Sequence, residues 1–84
     1  MMTQMLRIAA VIAMTGNKRW AVYRNVRAGL LPPPVKIGER SSAWPRNEIE
    51  QITAARIAGH TNDEIKSLVS RLLTERKKAV KNVQ

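Results

Sequence analysis

The chain is 84 residues long, enough for one small domain with a marginal core, and its 44% apolar content excludes wholesale disorder. It contains no cysteine, which excludes a disulfide scaffold and thiolate metal sites. Fifteen Lys and Arg against six Asp and Glu give a net charge of +9, which selects a polyanionic partner, nucleic acid ahead of an acidic membrane surface.

The charge is unevenly spread. Residues 1–46 carry eight basic groups and one acid, whereas residues 47–84 carry seven basic groups and five acids. Residues 1–7 read as an irregular or short extended arm. The apolar run that follows Arg7, residues 8–14, is at the short limit of a signal-peptide core and flows directly into a turn. It therefore reads as a helix of the domain. No stretch approaches the roughly 20 apolar residues that a membrane span needs. The first helix covers about residues 9–14, with Val11, Ile12 and Met14 turned inward. Thr15, Gly16 and Asn17 then break the run. Gly16 suits the left-handed position that ends a helix, and Asn17 is placed to cap the next one.

The second helix spans residues 18–28. At 100° per residue Val22 and Val26 share the core side. The opposite side gathers Asn17, Trp20, Arg24 and Arg27, with Ala21 and Ala28 between them and Tyr23 at one flank. Small residues let a helix backbone approach a surface, and Arg is the commonest reader of base edges in the major groove. Arg24 and Arg27 are the candidate base readers. Lys18 and Arg19, at the helix start, are placed for phosphates. Trp20 either packs on a deoxyribose or a thymine methyl, or fills a gap between this helix and the hairpin wing. Tyr23 is either a hydroxyl donor to phosphate or a core plug.

Gly29 and the prolines 32–34 stop the second helix and impose an extended path. Val35 and Ile37 alternate with Lys36 in the manner of a half-buried strand. Residues 38–41 form a hairpin tip bearing Arg40, and Trp44 closes the hairpin against the core. Lys36, Arg40 and Ser41, with Arg46 just beyond, make a second basic group on this wing. Pro45 suits the first position of a third helix, residues 45–58, with Ile49, Ile52 and Ile57 inward and Gly59 at its end. Glu48 and Glu50, two apart, point in different directions.

Thr61 and Glu64 form a capping box, so a fourth helix starts near Asn62. Ile65, Leu68, Val69, Leu72, Leu73, Ala79, Val80 and Val83 lie on one side of it. Continued to residue 83, it spans about 33 Å at 1.5 Å per residue, long beside a domain of residues 1–59. A second copy of the chain is an economical cover for that stripe. The division is thus a DNA-binding unit, 1–59, and an amphipathic helix, 60–84. Ile65, Leu68, Val69, Leu72 and Leu73 are the expected self-association face. The alternative is that the first half packs on the domain and the end frays from Lys77 onward. Lys77, Lys78 and Lys81 suit a helix C-terminus electrostatically. His60, the only histidine, falls in a loop. No nucleophile–base pair, metal-ligand cluster or glycine-rich phosphate loop is visible, so no enzyme, cofactor or metal site is expected. The fold class is mainly α: a winged helix–turn–helix with a short two-stranded hairpin wing and a long C-terminal helix.

One set of residues carries a family resemblance: Leu6 and Arg7; Val11, Ile12, Ala13, Met14, Thr15 and Gly16; Tyr23 and Arg24; Ala28 and Gly29; Pro32; Pro34, Val35, Lys36, Ile37 and Gly38; Arg40; Ala43 and Trp44; Glu48 and Ile49. In order and spacing the set resembles the AlpA family of small phage and prophage regulators, related to MerR-type winged helices and to phage excisionases. The resemblance implies a winged helix–turn–helix that binds DNA near promoters or attachment sites, with the second helix as recognition helix and residues 36–42 as wing. It implies transcriptional activation or assistance to an integrase. The chain departs from the family where the second helix begins. Lys18, Trp20 and Ala21 stand where a Ser cap, a small polar residue and a Thr are usual, so the family's target sequence does not carry over.

The function expected is a sequence-specific regulator acting on double-stranded DNA in the bacterial cytoplasm, at the nucleoid. It would act as a homodimer or a head-to-tail oligomer, with integrase or RNA polymerase as further partners. One alternative is an excisionase-like architectural factor that bends DNA. Another is a DNA-packaging or adaptor module whose last helix recruits a protein. A membrane-surface role is disfavoured because the basic residues do not line one amphipathic helix.

Overall fold

The computed structural model describes residues 4–83, with side chains described as far as Lys78. The expectations for Met1, Met2, Thr3, Ala79, Val80, Lys81 and Val83 lie outside the described residues or side chains. In chain order the elements are β1 (Met5–Leu6), α1 (Ile8–Thr15), α2 (Arg19–Arg27), β2 (Val35–Lys36), β3 (Ser42–Pro45), α3 (Arg46–Ile57) and α4 (Asn62–Val83).

The turn between α1 and α2 is three residues long. Gly16 occupies the left-handed region at φ 74°, where a side chain would be strained, and its N–H closes α1 on the Ile12 carbonyl at 2.9 Å. The Thr15 hydroxyl donates to the Val11 carbonyl at 2.8 Å and accepts the Asn17 N–H at 3.3 Å, fastening the turn from within. Asn17 does not cap α2. The N-cap position falls one residue later, on Lys18, which makes no side-chain cap bond. At the other end of α2 Gly29, at φ 78°, reverses the chain, and the Leu30 N–H reaches back to the Asn25 carbonyl at 2.8 Å.

The arm at the N-terminus is extended, and it is a strand. β1 pairs antiparallel with β3 in the register Met5–Pro45 and Leu6–Trp44, while β2 pairs with the other edge of β3 as Val35–Ala43 and Lys36–Ser42. The hairpin wing therefore belongs to a three-stranded sheet of order β1-β3-β2. Trp44, on the central strand, is fully buried, and its indole Nε1–H donates to the Pro32 carbonyl at 2.8 Å. A buried Trp needs that partner, and the proline run, which cannot form a helix or a ladder, supplies the carbonyl. Pro45 remains in β3 and flanks α3 as its N-cap, one position before the one expected.

Leu6, Val11, Val22, Leu31, Trp44 and Ile49 meet in one core. Ile65, Val69 and Leu72 of α4 are buried in that same core, with Leu68 and Leu73 packed at its edge. The apolar stripe of α4 is thus covered by its own chain along its first half. Two inward assignments change. Ala21 is buried on the core side of α2 beside Val22 rather than set among the outward residues. Ile57, expected inward, is 83% exposed, since at 100° per residue it lies on the side of α3 away from the buried Glu48, Ile49, Ile52 and Ala55.

Candidate nucleic-acid interface

The exposed face of α2 is built from two rows at i, i+4 spacing. Arg19, Tyr23 and Arg27 form one, and Trp20 and Arg24 the other. Val22, fully buried, and Val26, half-buried, hold the opposite side against the core and so aim these rows at solvent. No acidic residue lies on α2, and the only acid among residues 1–46 is Glu39 at the hairpin tip. The uncapped start of α2 leaves its first-turn N–H groups beside Lys18 and Arg19, where the helix dipole adds positive potential. At nine residues α2 is about 13 Å long, a good match to a major groove about 12 Å wide.

Trp20 is 60% exposed, so it does not fill a gap between α2 and the wing. Its ring instead carries the Arg24 guanidinium, whose central carbon lies 4.7 Å from the ring centroid. This cation–π contact holds Arg24 beside Trp20 on the exposed face of the helix. Tyr23 is partly exposed, and its ring centroid is 6.2 Å from that of Trp44, tilted by 54°. Tyr23 therefore links α2 to the wing sheet while keeping an edge at the surface.

On the wing, the Ile37 N–H donates to the Ser41 carbonyl at 2.9 Å and closes the tip. Lys36 and Arg40 are exposed there, and Ser41 is half-buried. Arg46 does not join them. It follows β3 at the end away from the tip, with its guanidinium hydrogen-bonded to Gln4 Oε1 at 2.7 Å and to Glu50 Oε2 at 3.3 Å. Asn17 lies half-buried in the turn, at the margin of the α2 face. The five residues expected at a self-association face, Ile65, Leu68, Val69, Leu72 and Leu73, all contribute to or border the domain core.

One feature that holds the interface in place is not legible in the sequence. Glu48 on α3 is buried, 4% exposed, and Arg76 on α4 donates to both its oxygens, Nε–H to Oε2 at 2.8 Å and Nη2–H to Oε1 at 2.6 Å. Arg76 Nη2 also donates to the Pro33 carbonyl at 2.9 Å. The clamp joins α3, α4 and the proline segment that leads into the wing. The two residues are 28 apart in sequence, and no local spacing signals such a pair.

Two helices joined by a three-residue turn, followed by a basic hairpin beside the second helix, define a winged helix–turn–helix of the DNA-binding class. The family model described as Prophage CP4-57 regulatory protein (AlpA) matches residues 4–57, and the chain belongs to this family of DNA-binding prophage regulators. No curated protein and no solved structure matches the chain. The matched segment runs from the approach to β1 to the last residue of α3, and α4 follows it. No helix among the described residues is long and apolar enough to cross a membrane.

Proposed function

We propose that this chain is a sequence-specific regulator of phage or mobile-element type that lays α2 in the major groove of double-stranded DNA. The continuous exposed face of α2, basic, aromatic and free of acids, carries the reading. In it Arg24 and Arg27 address base edges, Lys18 and Arg19 hold phosphates at the start of the helix, and Trp20 orients Arg24. Lys36 and Arg40 place the wing on the neighbouring groove or backbone. The protein acts in the bacterial cytoplasm, at the nucleoid, with RNA polymerase or an integrase as partner according to the site it binds.

A second reading has its own support. Ile37, on the wing beside Lys36, is 49% exposed. Apolar side chains flanked by basic ones serve minor-groove proteins as wedges that kink the duplex. A bending, excisionase-like role would rest on that residue.

Selection from random duplex DNA with the purified protein tests both readings. An enriched motif supports sequence-specific regulation, and the arrangement of its half-sites separates paired binding from head-to-tail binding. Retained DNA without a motif, bent in a circular-permutation assay, favours the architectural role. No retained DNA at low salt overturns both.

A further inference from the structure

Beside the recognition helix lies a cleft of about 440 Å³, bounded by the α1–α2 turn, the inner edge of α2 and the last turns of α3. Its floor is apolar, made by Leu30, Leu31 and Ile52. Its polar wall brings together Arg24 from α2, Arg56 from α3, and the carboxamides of Asn17 and Asn25. No acidic residue lines it. A concave site with apolar lining and a few polar groups is the usual form of a ligand pocket, and an arginine-lined cleft without a carboxylate selects an anion.

The Arg24 guanidinium rests on Trp20, which does not line the cleft, so the free donors of the cleft are those of Arg56. Arg56 is anchored through a single Nη1–H bond to Asn62 Oδ1 at 3.0 Å, with its remaining N–H groups unused among the described contacts. Thr53 also lines the cleft, and its hydroxyl is buried with no hydrogen-bond partner.

We infer that the cleft between the helix–turn–helix and the end of α3 binds a phosphate group, with Arg56 as its cationic arm. A planar guanidinium fork suits a phosphate better than a spherical anion such as chloride. The phosphate comes either from the backbone of a duplex lying on α2, which rests on the proposed DNA-binding function, or from a free phosphorylated ligand, which does not.

The test compares wild type, Arg56→Gln, Arg56→Lys and, as a control of equal charge change, Arg71→Gln. Arg71 lies on α4 outside the cleft and pairs with Glu75. DNA affinity is measured across a salt series, and the thermal midpoint is followed with added inorganic phosphate at constant ionic strength. A backbone phosphate predicts that Arg56→Gln lowers the slope of log K against log salt by about one, with sequence preference unchanged. Arg71→Gln would leave the slope near that of wild type, and Arg56→Lys would keep it. A free phosphate predicts an unchanged slope and a wild-type midpoint raised by phosphate, a rise that Arg56→Gln abolishes. Equal slopes and equal phosphate responses in wild type and Arg56→Gln overturn the inference. If wild type binds no DNA, the proposed function fails while the phosphate titration still decides the cleft.

Discussion

At the scale of the residue, the interface depends on side chains whose surroundings differ sharply. Arg24 and Arg27 are exposed on α2 and are assigned to bases. Replacing either with Ala should cost about 1–3 kcal/mol of binding to the preferred site and relax discrimination at the position read. Competition binding with single-base variants of the selected sequence measures it; a loss equal on all sequences would show phosphate contact instead. Arg76 and Glu48 act on stability. The side chain of Glu48 is 5% accessible and that of Arg76 21%, so removing one partner leaves a charge with little access to water. Arg76→Ala should therefore destabilise the fold by roughly 3–5 kcal/mol, far above the range of exposed ion pairs. Chemical denaturation reads this directly, and a loss below about 1 kcal/mol would mean that water screens the pair.

At the scale of the element, α4 illustrates how local and distant interactions combine. Its start is a reciprocal capping box: the Thr61 N–H donates to Glu64 Oε1 at 2.8 Å, and the Glu64 N–H donates to Thr61 Oγ1 at 3.2 Å. The bond from the Thr61 backbone N–H, then the Thr61 side chain, holds the Glu64 carboxyl below its ordinary pKa. A carboxyl depressed in the folded state stabilises above its unfolded value and loses that effect as pH falls through its folded value. Wild type should therefore exceed Glu64→Ala in thermal stability at neutral pH, and the gap should close on acidification below the ordinary carboxylate range. A gap independent of pH would contradict the ionised cap. Thr61→Ala should cost about 1 kcal/mol.

At the scale of the whole molecule, the question is whether residues 1–59 form a unit without α4. Ile65, Val69 and Leu72 lie in the same core as Trp44 and Ile49, and the Arg76 clamp ties α4 to the proline segment. A chain ending at Gly59 should therefore lose cooperative thermal melting. A sharp melt of that fragment would establish the division at Gly59 and His60. Leu72→Ala should cost about 2–5 kcal/mol, by the same amount at every protein concentration. A core residue gives that result, whereas a residue whose burial depends on a second copy gives a midpoint that moves with concentration.

The sequence by itself determined the order of the four helices and the hairpin, the helix–turn–helix break at Gly16, the basic wing, the capping box of α4 and the family. Each of these rests on short-range chemistry: a backbone that needs glycine, prolines that exclude a helix, a hydroxyl and a carboxylate three residues apart. Tertiary structure decided what the amphipathic elements pack against. Periodicity shows that Ile65, Val69 and Leu72 share a side but carries no information about which surface covers that side. Ile57 is apolar yet lies on the side of α3 away from the buried Ile49, Ile52 and Ala55, and Ala21 lies on the buried side of α2. Pairing between distant residues is likewise set by the folded chain. Strand β1 finds β3 across some forty residues, and Arg76 finds Glu48 across 28. Such contacts form only once the core has fixed the relative positions of the helices.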